Sequence, residues 1–508
     1  MICPLFFGKI TESFFHWAYM QKNSELFSLK SLIIFLAAIS LYRFYVLTHV
    51  NIDLYADEAY YWGWAQHFDF GYYSKPPMVA WLIMLSTSLC GDSFVCIKVG
   101  SLFVYFFTTI NIYLLAKELF EDEKIAFFSA AAFVTLPAVW LSSLIISTDV
   151  PFLFFWSLGM LFFVKALKSD RWSHWLIVAV AGGGGLLSKY TMIIFVVSAF
   201  AYLIFSPKNR HHLKNPKLYA TMILAALIYL PNLYWNYTHE FVSFKHTEDN
   251  AHLEGELFHP LRMLEFLGAQ FGVFGPILFG WLLALLPRVG TVRRDDRLFM
   301  LWWFIVPFFL LILTISLLSR AHANWSAPMY VASTVLVVAW LVMQNRVRWL
   351  YVAIAVNIAL GVGLYQYHDI AKSLGIELTR KSDPYKRVLG WRELGAQVSG
   401  IMKEYPGAKL LSDDRKSMAE LIYYIQPHPF DAVKWNPRHT LLDHYELTTD
   451  MERHKGEDFI FVTQRSKIGN IAKHFASAKL LKRIEIPLYK DYKMVYYVYY
   501  LKDFKGYK

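Results

Sequence analysis

The sequence predicts a polytopic α-helical membrane protein, with about 11–13 spans and a small C-terminal α/β domain outside the membrane. Three observations predict it. The 508 residues are 56% hydrophobic and only 18% charged, whereas a soluble domain is about 45–50% apolar and about 25% charged. The apolar residues fall in long runs, giving a mean hydropathy of +0.34. Basic residues crowd alternate connections between those runs. The net charge of +11 therefore reads as cation retention on the cytoplasmic side and not as a nucleic-acid surface.

A span needs about 20 apolar residues. The candidates are 31–49, 94–116, 125–142, 149–167, 172–187, 191–206, 218–236, 263–287, 299–318, 325–343 and 347–367. Segment 172–187 is weakened by the run Gly182 to Gly185, and 191–206 is short. With the N-terminus inside, one set of connections holds Lys117, Lys124, Lys165, Lys168, Arg171, Lys208, Arg210, Lys214, Lys217, Arg288, Arg293, Arg294, Arg297, Arg346 and Arg348. The opposite set holds only Lys75, Lys189, Lys245, Arg262 and Arg320. That asymmetry puts the first set in the cytoplasm. It places Asp57, Asp149, Lys189, His246 and His322 together on the other face, and the C-terminal region with them.

Residues 1–30 read as a cytoplasmic segment, with Lys9, Lys22 and Lys30 around a broken apolar stretch and no small-residue cleavage site. Residues 31–367 read as the membrane domain, with a first outer loop at 50–93. From 368 to 508 charge rises and apolar runs shorten. Lys409–Ser412, Asp458–Val462 and Val495–Tyr500 read as strands, and Ser417–Ile425 and Ile468–Ala476 as helices. The three cysteines, Cys3, Cys90 and Cys96, make no disulfide framework. Spacing and apolar flanks argue against a Cys90–Cys96 pair, which would in any case require export.

The chemistry concentrates in the first outer loop. Asp57 and Glu58 lie just past the first span among Tyr55, Tyr60, Tyr61, Trp62 and Trp64, followed by Tyr72 and Lys75-Pro76-Pro77. Carboxylates at the mouth of a membrane helix are costly and mark function. The competing reading makes Asp57 an N-cap for a helix at 58–68. Asp149 opens a span in Thr148-Asp149-Val150-Pro151, where capping is an equal alternative. Lys75, held extended by Pro76, suits a phosphate as a point charge, or snorkels to headgroups. Lys189 and Arg320 add cations on the same face, as a departing phosphate would require. His246, His252 and His259 share an outer loop with Glu248, Asp249, Glu254 and Glu256, without metal-ligand spacing, and read as a solvated loop.

Ala56-Asp57-Glu58-Ala59-Tyr60-Tyr61-Trp62 with Lys75-Pro76-Pro77 resembles the first outer loop of the bacterial branch of the dolichyl-phosphate-mannose–protein mannosyltransferase superfamily. Thr148-Asp149-Val150-Pro151, Leu187-Ser188-Lys189-Tyr190, His322-Ala323-Asn324-Trp325, Gly390-Trp391-Arg392-Glu393-Leu394, Asp413-Asp414-Arg415 and His444-Tyr445-Glu446-Leu447 are similar to the same branch. The branch includes lipid A aminoarabinose and galactosamine transferases. The resemblance, over about residues 50–450, implies a GT-C glycosyltransferase of the bacterial inner membrane. It would move a sugar from polyprenyl phosphate to lipid A or lipopolysaccharide core at the periplasmic face. It implies Asp57, Asp149 and Glu58 as the catalytic carboxylates. Lys75, Tyr61, Lys189 and Arg320 would contact the donor phosphate, and Tyr60, Tyr72, Tyr190, His322, Asn324 and Trp325 the substrates.

The aminoarabinose transferases carry a metal-ligating glutamate before the loop lysine, and this chain has Ser74 there. That departure argues against a resident metal and against aminoarabinose, although a divalent metal stays open. The tail looks more similar to relatives that place hexosamine or uronic sugars. Two other activities compete: protein O-glycosylation by the same fold, and transport of lipid-linked sugars, to which only the broken-helix hint at Gly182 to Gly185 points. A third reading, a membrane-anchored sensor or scaffold, leaves the first-loop acids unexplained.

Overall fold

The structure is a computed structural model that describes residues 26–251 and 258–507. Most of the expected N-terminal cytoplasmic segment lies outside the described residues, as do His252, Glu254 and Glu256. All eleven expected spans are helical. Among the described residues, seven stretches are long and apolar enough to cross a bilayer: Leu29–His49, Phe94–Phe120, Asp149–Ser169, Pro216–Thr238, Asp296–Leu318, Ala323–Met343 and Arg348–Tyr365. An eighth crossing is the pair Glu123–Val134 and Pro137–Leu144, bent by 53°. The remaining three expected spans are shorter or interrupted. Trp172–Ser188 has 17 residues, which at about 1.5 Å each fall short of a core about 30 Å thick. Tyr190–Phe205 is shorter still. Segment 263–287 divides at Gly275-Pro276, where Gly275 takes a positive φ of 90°.

The bend at Pro137 shows how the bundle manages a broken helix. Proline has no N–H, and the break leaves carbonyls of the preceding turn without helical partners. Arg43 from Leu29–His49 is buried, donates to the Val134 carbonyl at 2.6 Å and lies 4.7 Å over the Trp140 ring. A cation inside the bundle thus has an acceptor and an aromatic face.

The glycine run does not break its helix. Trp172–Ser188 is continuous through Gly182 to Gly185. A Cβ on Gly183 would lie 2.6 Å from the Ile228 Cβ, and one on Gly184 would lie 2.5 Å from the Phe155 ring. These glycines let Pro216–Thr238 and Asp149–Ser169 approach closely, which removes the hint of a transporter's interrupted helix.

The C-terminal part contains a five-stranded sheet. Its strands are β1 (Lys409–Ser412), β2 (Val433–Lys434), β3 (Phe459–Thr463), β4 (Phe475–Tyr489) and β5 (Tyr492–Phe504), in the order β2-β1-β3-β5-β4. β1 runs parallel to β2 and β3. β5 is antiparallel to both β3 and β4. The expected helix at 468–476 is corrected: Gly469–Ala472 is a single turn and β4 starts at Phe475. β4 is an edge strand exposed over much of its length, so its sequence lacks the alternation of a half-buried strand. A two-residue connection joins it to β5.

The disulfide expectation is also corrected. Cys90 and Cys96 are bonded, with their Cα atoms 5.9 Å apart. Gly91, at φ 79°, turns the chain between Met78–Cys90 and Phe94–Phe120 and brings the two sulfurs within bonding reach.

The first loop and the C-terminal part share one apolar core. Tyr60, Trp62 and Trp64 pack with Met418, Ile422, Ile460 and Tyr496. Backbone pairing supports the seam, with Asp53 N–H donating to the Val388 carbonyl and Trp391 N–H donating to Asp53 Oδ2 at 2.7 Å. Gly183→Leu should overpack the Ile228 contact and cost about 1–3 kcal/mol. Gly280→Leu, where a Cβ meets nothing within 4 Å, should be near neutral. Thermal unfolding in detergent measures both, and equal losses would mean that close helix approach is not what Gly183 provides.

Candidate active site

The helix Ala56–Ala65 holds Asp57 and Glu58 in its first turn. Consecutive helical residues point about 100° apart, and the two acids separate accordingly. Glu58 is fully buried. It accepts from Lys98 Nζ at 2.7 Å, from Ile146 N–H at 2.8 Å and from Tyr55 N–H at 2.9 Å. Lys98 is equally buried and donates also to the Leu144 carbonyl at 2.9 Å. Glu58 is therefore an anchor that caps its own helix and ties it to Phe94–Phe120. This corrects its placement beside Asp57 in the reacting cavity.

Asp57 does not cap the helix. It is half-exposed and accepts from Arg415 Nη1 at 2.9 Å. Arg415 opens the helix Arg415–Tyr424, whose N-cap Asp414 accepts from Ser417 N–H at 2.8 Å. The guanidinium also lies 4.9 Å over the Tyr60 ring. Burial opposes its charge, but Asp57, together with Tyr60 and Tyr61, more than offsets that and raises its pKa.

Asp57 lines a cavity of about 680 Å³ with Tyr60, Tyr61, Tyr73, Ser74, Lys75, His246, Arg320, His322, Trp325, Arg387, Trp391 and Arg415. Arg380, Lys386 and Lys416 also border it, and among the described residues that line it Asp57 is the one carboxylate. Lys75 is set by a tight turn in which its backbone pairs with Tyr72, and Ser243 Oγ donates to the Tyr72 carbonyl. Burial and the neighbouring Lys189 push the Lys75 pKa down, while Asp57 and Asp149 oppose the shift. Burial likewise holds His246 down to about 4, with Lys75 and Arg415 adding to the effect.

Asp149 is a neighbour of this group and not a cap. It accepts from Lys189 Nζ at 2.7 Å and from Asn324 Nδ2 at 2.9 Å. The expected phosphate contacts therefore divide. Lys75 and Lys189 stand by the two aspartates, whereas Arg320 lines the cavity with Arg387 and His322. Tyr60, Tyr61, His322 and Trp325 reach the cavity. Asn324 works through Asp149. Tyr72 is buried, stacked 4.8 Å from Trp64 and donating to the His67 carbonyl, so its role is structural. Tyr190 stacks on Phe244 instead.

Sequence reasoning missed the cations from the C-terminal part. Arg415 appeared only within a family motif, and its contact with Asp57 spans 358 positions, beyond any local periodicity. Metal binding fits this site poorly. Ser74 stands where a ligand carboxylate would be needed, and His246 faces the charges of Lys75 and Arg415, which repel a cation. Among the described residues no group of three His, Cys, Asp or Glu side chains gathers to hold a metal.

Comparison with known proteins decides the lineage. Residues 74–235 match the family model described as dolichyl-phosphate-mannose-protein mannosyltransferase. The lipid A galacturonosyltransferase RgtD of Rhizobium johnstonii is 31% identical over 392 residues, covering 76% of this chain and 81% of that protein. The chain belongs to the bacterial branch of this mannosyltransferase superfamily. It is a polyprenyl-phosphate-sugar-dependent glycosyltransferase. The lipopolysaccharide core galacturonosyltransferase RgtA of the same organism is 26% identical over 191 residues, 37% of this chain and 38% of that one. The structure of ArnT from Cupriavidus metallidurans bound to undecaprenyl phosphate shares the GT-C fold, with a TM-score of 0.59 at 14% identity over 93% of this chain and 98% of that one.

One feature of this glycosyltransferase's seam titrates. Glu420 on Arg415–Tyr424 is buried, and neither of its oxygens has a hydrogen-bond partner among the described residues. Burial, then Asp53 and Glu58, push its pKa well up. The folded state thus keeps a proton that the unfolded carboxyl releases above about pH 4.3, so this group costs stability as pH rises from there. Glu420→Gln should therefore stabilise the protein more at pH 8 than at pH 5, read as melting temperature; an equal gain at both would refute a buried neutral acid. Glu58→Ala, which strands the Lys98 charge, should cost about 3–5 kcal/mol, read as lost folded yield.

Proposed function

We propose that this glycosyltransferase moves a hexuronic acid from polyprenyl phosphate to lipid A at the periplasmic face of the bacterial inner membrane. The observation that carries the reading is the cavity itself, in which one carboxylate, Asp57, stands among seven cationic side chains. Such a site suits an anionic donor and an anionic product. The likeness to RgtD over most of both chains supports lipid A as acceptor and a uronic acid as sugar. The Cys90–Cys96 bond, in the first loop with Asp57, supports an oxidising compartment for that face, as does the distribution of basic loops.

The chemistry follows from the placement of side chains. The donor's prenyl tail lies in the bilayer with its phosphate at Lys75, whose lowered pKa reflects a desolvated position where an anion is welcome. Tyr61 beside it closes the apolar wall. The acceptor oxygen forms a bond to the anomeric carbon as the bond from that carbon to the phosphate oxygen breaks. The electron pair leaves with polyprenyl phosphate, and the configuration inverts. A hydroxyl acceptor passes its proton to Asp57. A phosphate acceptor is already anionic, and Asp57 then offsets charge developing on the sugar ring. Arg415 fixes the orientation of Asp57. Asp149, tied to Lys189 and Asn324, positions the donor end of the cavity.

Lipid A from cells with the gene, without it, and with Asp57→Asn tests the reading by mass spectrometry. The last two should lack one hexuronate mass, and transfer by Asp57→Asn in vitro should fall by about 10²- to 10⁴-fold with normal membrane insertion. Unchanged lipid A would move the acceptor to core oligosaccharide or exported protein. Normal transfer by the variant would remove Asp57 from the reaction.

A further inference from the structure

The cations of the cavity are not all accounted for by a donor phosphate. Arg415 is matched by Asp57, and Lys189 by Asp149. A sugar–phosphate diester brings one negative charge, which Lys75 meets. Arg320, Arg380, Lys386, Arg387 and Lys416 remain, of which Arg320 and Arg387 are the two whose charges act on His322. They come from distant parts of the chain, Arg320 from the turn before Ala323–Ser326 and Arg387 from the segment that leads into Trp391–Glu404. Both line the same cavity. Neither makes an ion pair among the described residues, and Arg387 donates only to the hydroxyl of Tyr55, at 3.3 Å.

The charges of both guanidinium groups act on one imidazole. His322 also lines the cavity, packs against Trp325 with ring centroids 5.4 Å apart, and has its pKa lowered by burial and by both Arg320 and Arg387. Like charges brought together without a counter-ion repel, and an anion between them relieves the repulsion. Planar guanidinium groups pair with carboxylates in a bidentate geometry that an ammonium does not offer. The location adds to the argument. Tyr55, which Arg387 contacts, is the N-cap of the helix that carries Asp57 two positions later. An anion held here is therefore next to the reacting centre, where the transferred sugar must sit.

We propose that Arg320, Arg387 and His322, with the Tyr55 hydroxyl, form a second anion site that holds the carboxylate of the transferred sugar and makes the enzyme selective for uronic over neutral donors. This inference rests on the uronic acid reading above. The site is separate from the Lys75 phosphate site, so donor selectivity and donor anchoring are functions of different residues.

The test uses the full-length enzyme in detergent with two polyprenyl-phosphate donors, one bearing the uronic acid and one the same sugar with its carboxylate reduced to the alcohol. Each is paired with lipid A acceptors with and without phosphate. The wild type should prefer the uronic donor, and Arg387→Gln and Arg320→Gln should each cut the uronic-to-neutral ratio of kcat/KM by about 10- to 100-fold, as loss of a charged hydrogen bond does. Arg387→Lys should recover only part of it. A loss of bulk fold would lower both donors together and leave the ratio intact, which would overturn the proposal. A loss that follows the acceptor phosphate instead of the donor carboxylate would also overturn it and assign the anion to the acceptor. A wild type that uses only the neutral donor would sink the uronic reading itself and this inference with it.

Discussion

The buried pair of Glu58 and Lys98 is the constraint on which the site depends. Two charges at 2.7 Å, both without solvent exposure, persist only when further hydrogen bonds satisfy them, and here three backbone groups do so. Those bonds join the first-loop helix to Phe94–Phe120 and to the chain around Leu144 and Ile146. The rotation of the helix is then set. With Glu58 facing inward, its neighbour Asp57 has only the cavity to face. One acid faces the cavity because the other is locked away.

Charge balance organises the rest. Each acidic side chain near the reacting centre has a dedicated cation: Arg415 for Asp57, Lys189 for Asp149, Lys98 for Glu58. Lys75, Arg320 and Arg387 have no such acid among the described residues. Pairing neutralises the first group, and the second group leaves the cavity with a surplus of positive charge. The C-terminal part takes a direct share in this arrangement, because Arg415 and Arg387 belong to it. Its sheet supports a helix whose first turn reaches into the membrane domain's active site.

Much of this was legible in the sequence. Asp57, Asp149, Lys75 and Lys189 stood out because charge at the end of an apolar segment is costly, and they do meet. Their individual geometry was not legible. Whether Asp57 or Glu58 faces the cavity turns on a single residue of helical phase, and the helix begins at Ala56, two residues before the expected start. Capping competed with catalysis as a reading of both aspartates, but each accepts from a cation from elsewhere. Arg415 and Arg387 carried no local signal, since a basic residue in a polar segment is ordinarily solvated. β4 was lost because its exposed edge erases the alternation that marks a strand. The cysteine pair depended on a left-handed glycine turn that spacing does not report.

The shared core of the first loop and the C-terminal part has a consequence for biosynthesis. The first loop is made early, yet its aromatic residues pack against Met418, Ile460 and Tyr496, and its aspartate waits for a partner 358 positions later. Contacts of such long range form late. During translation the nascent bundle exposes Asp57 without Arg415 and the donor cavity without its outer wall. A half-made chain in the membrane thus lacks both the Asp57–Arg415 pair and the residues of the C-terminal part that complete the cavity wall.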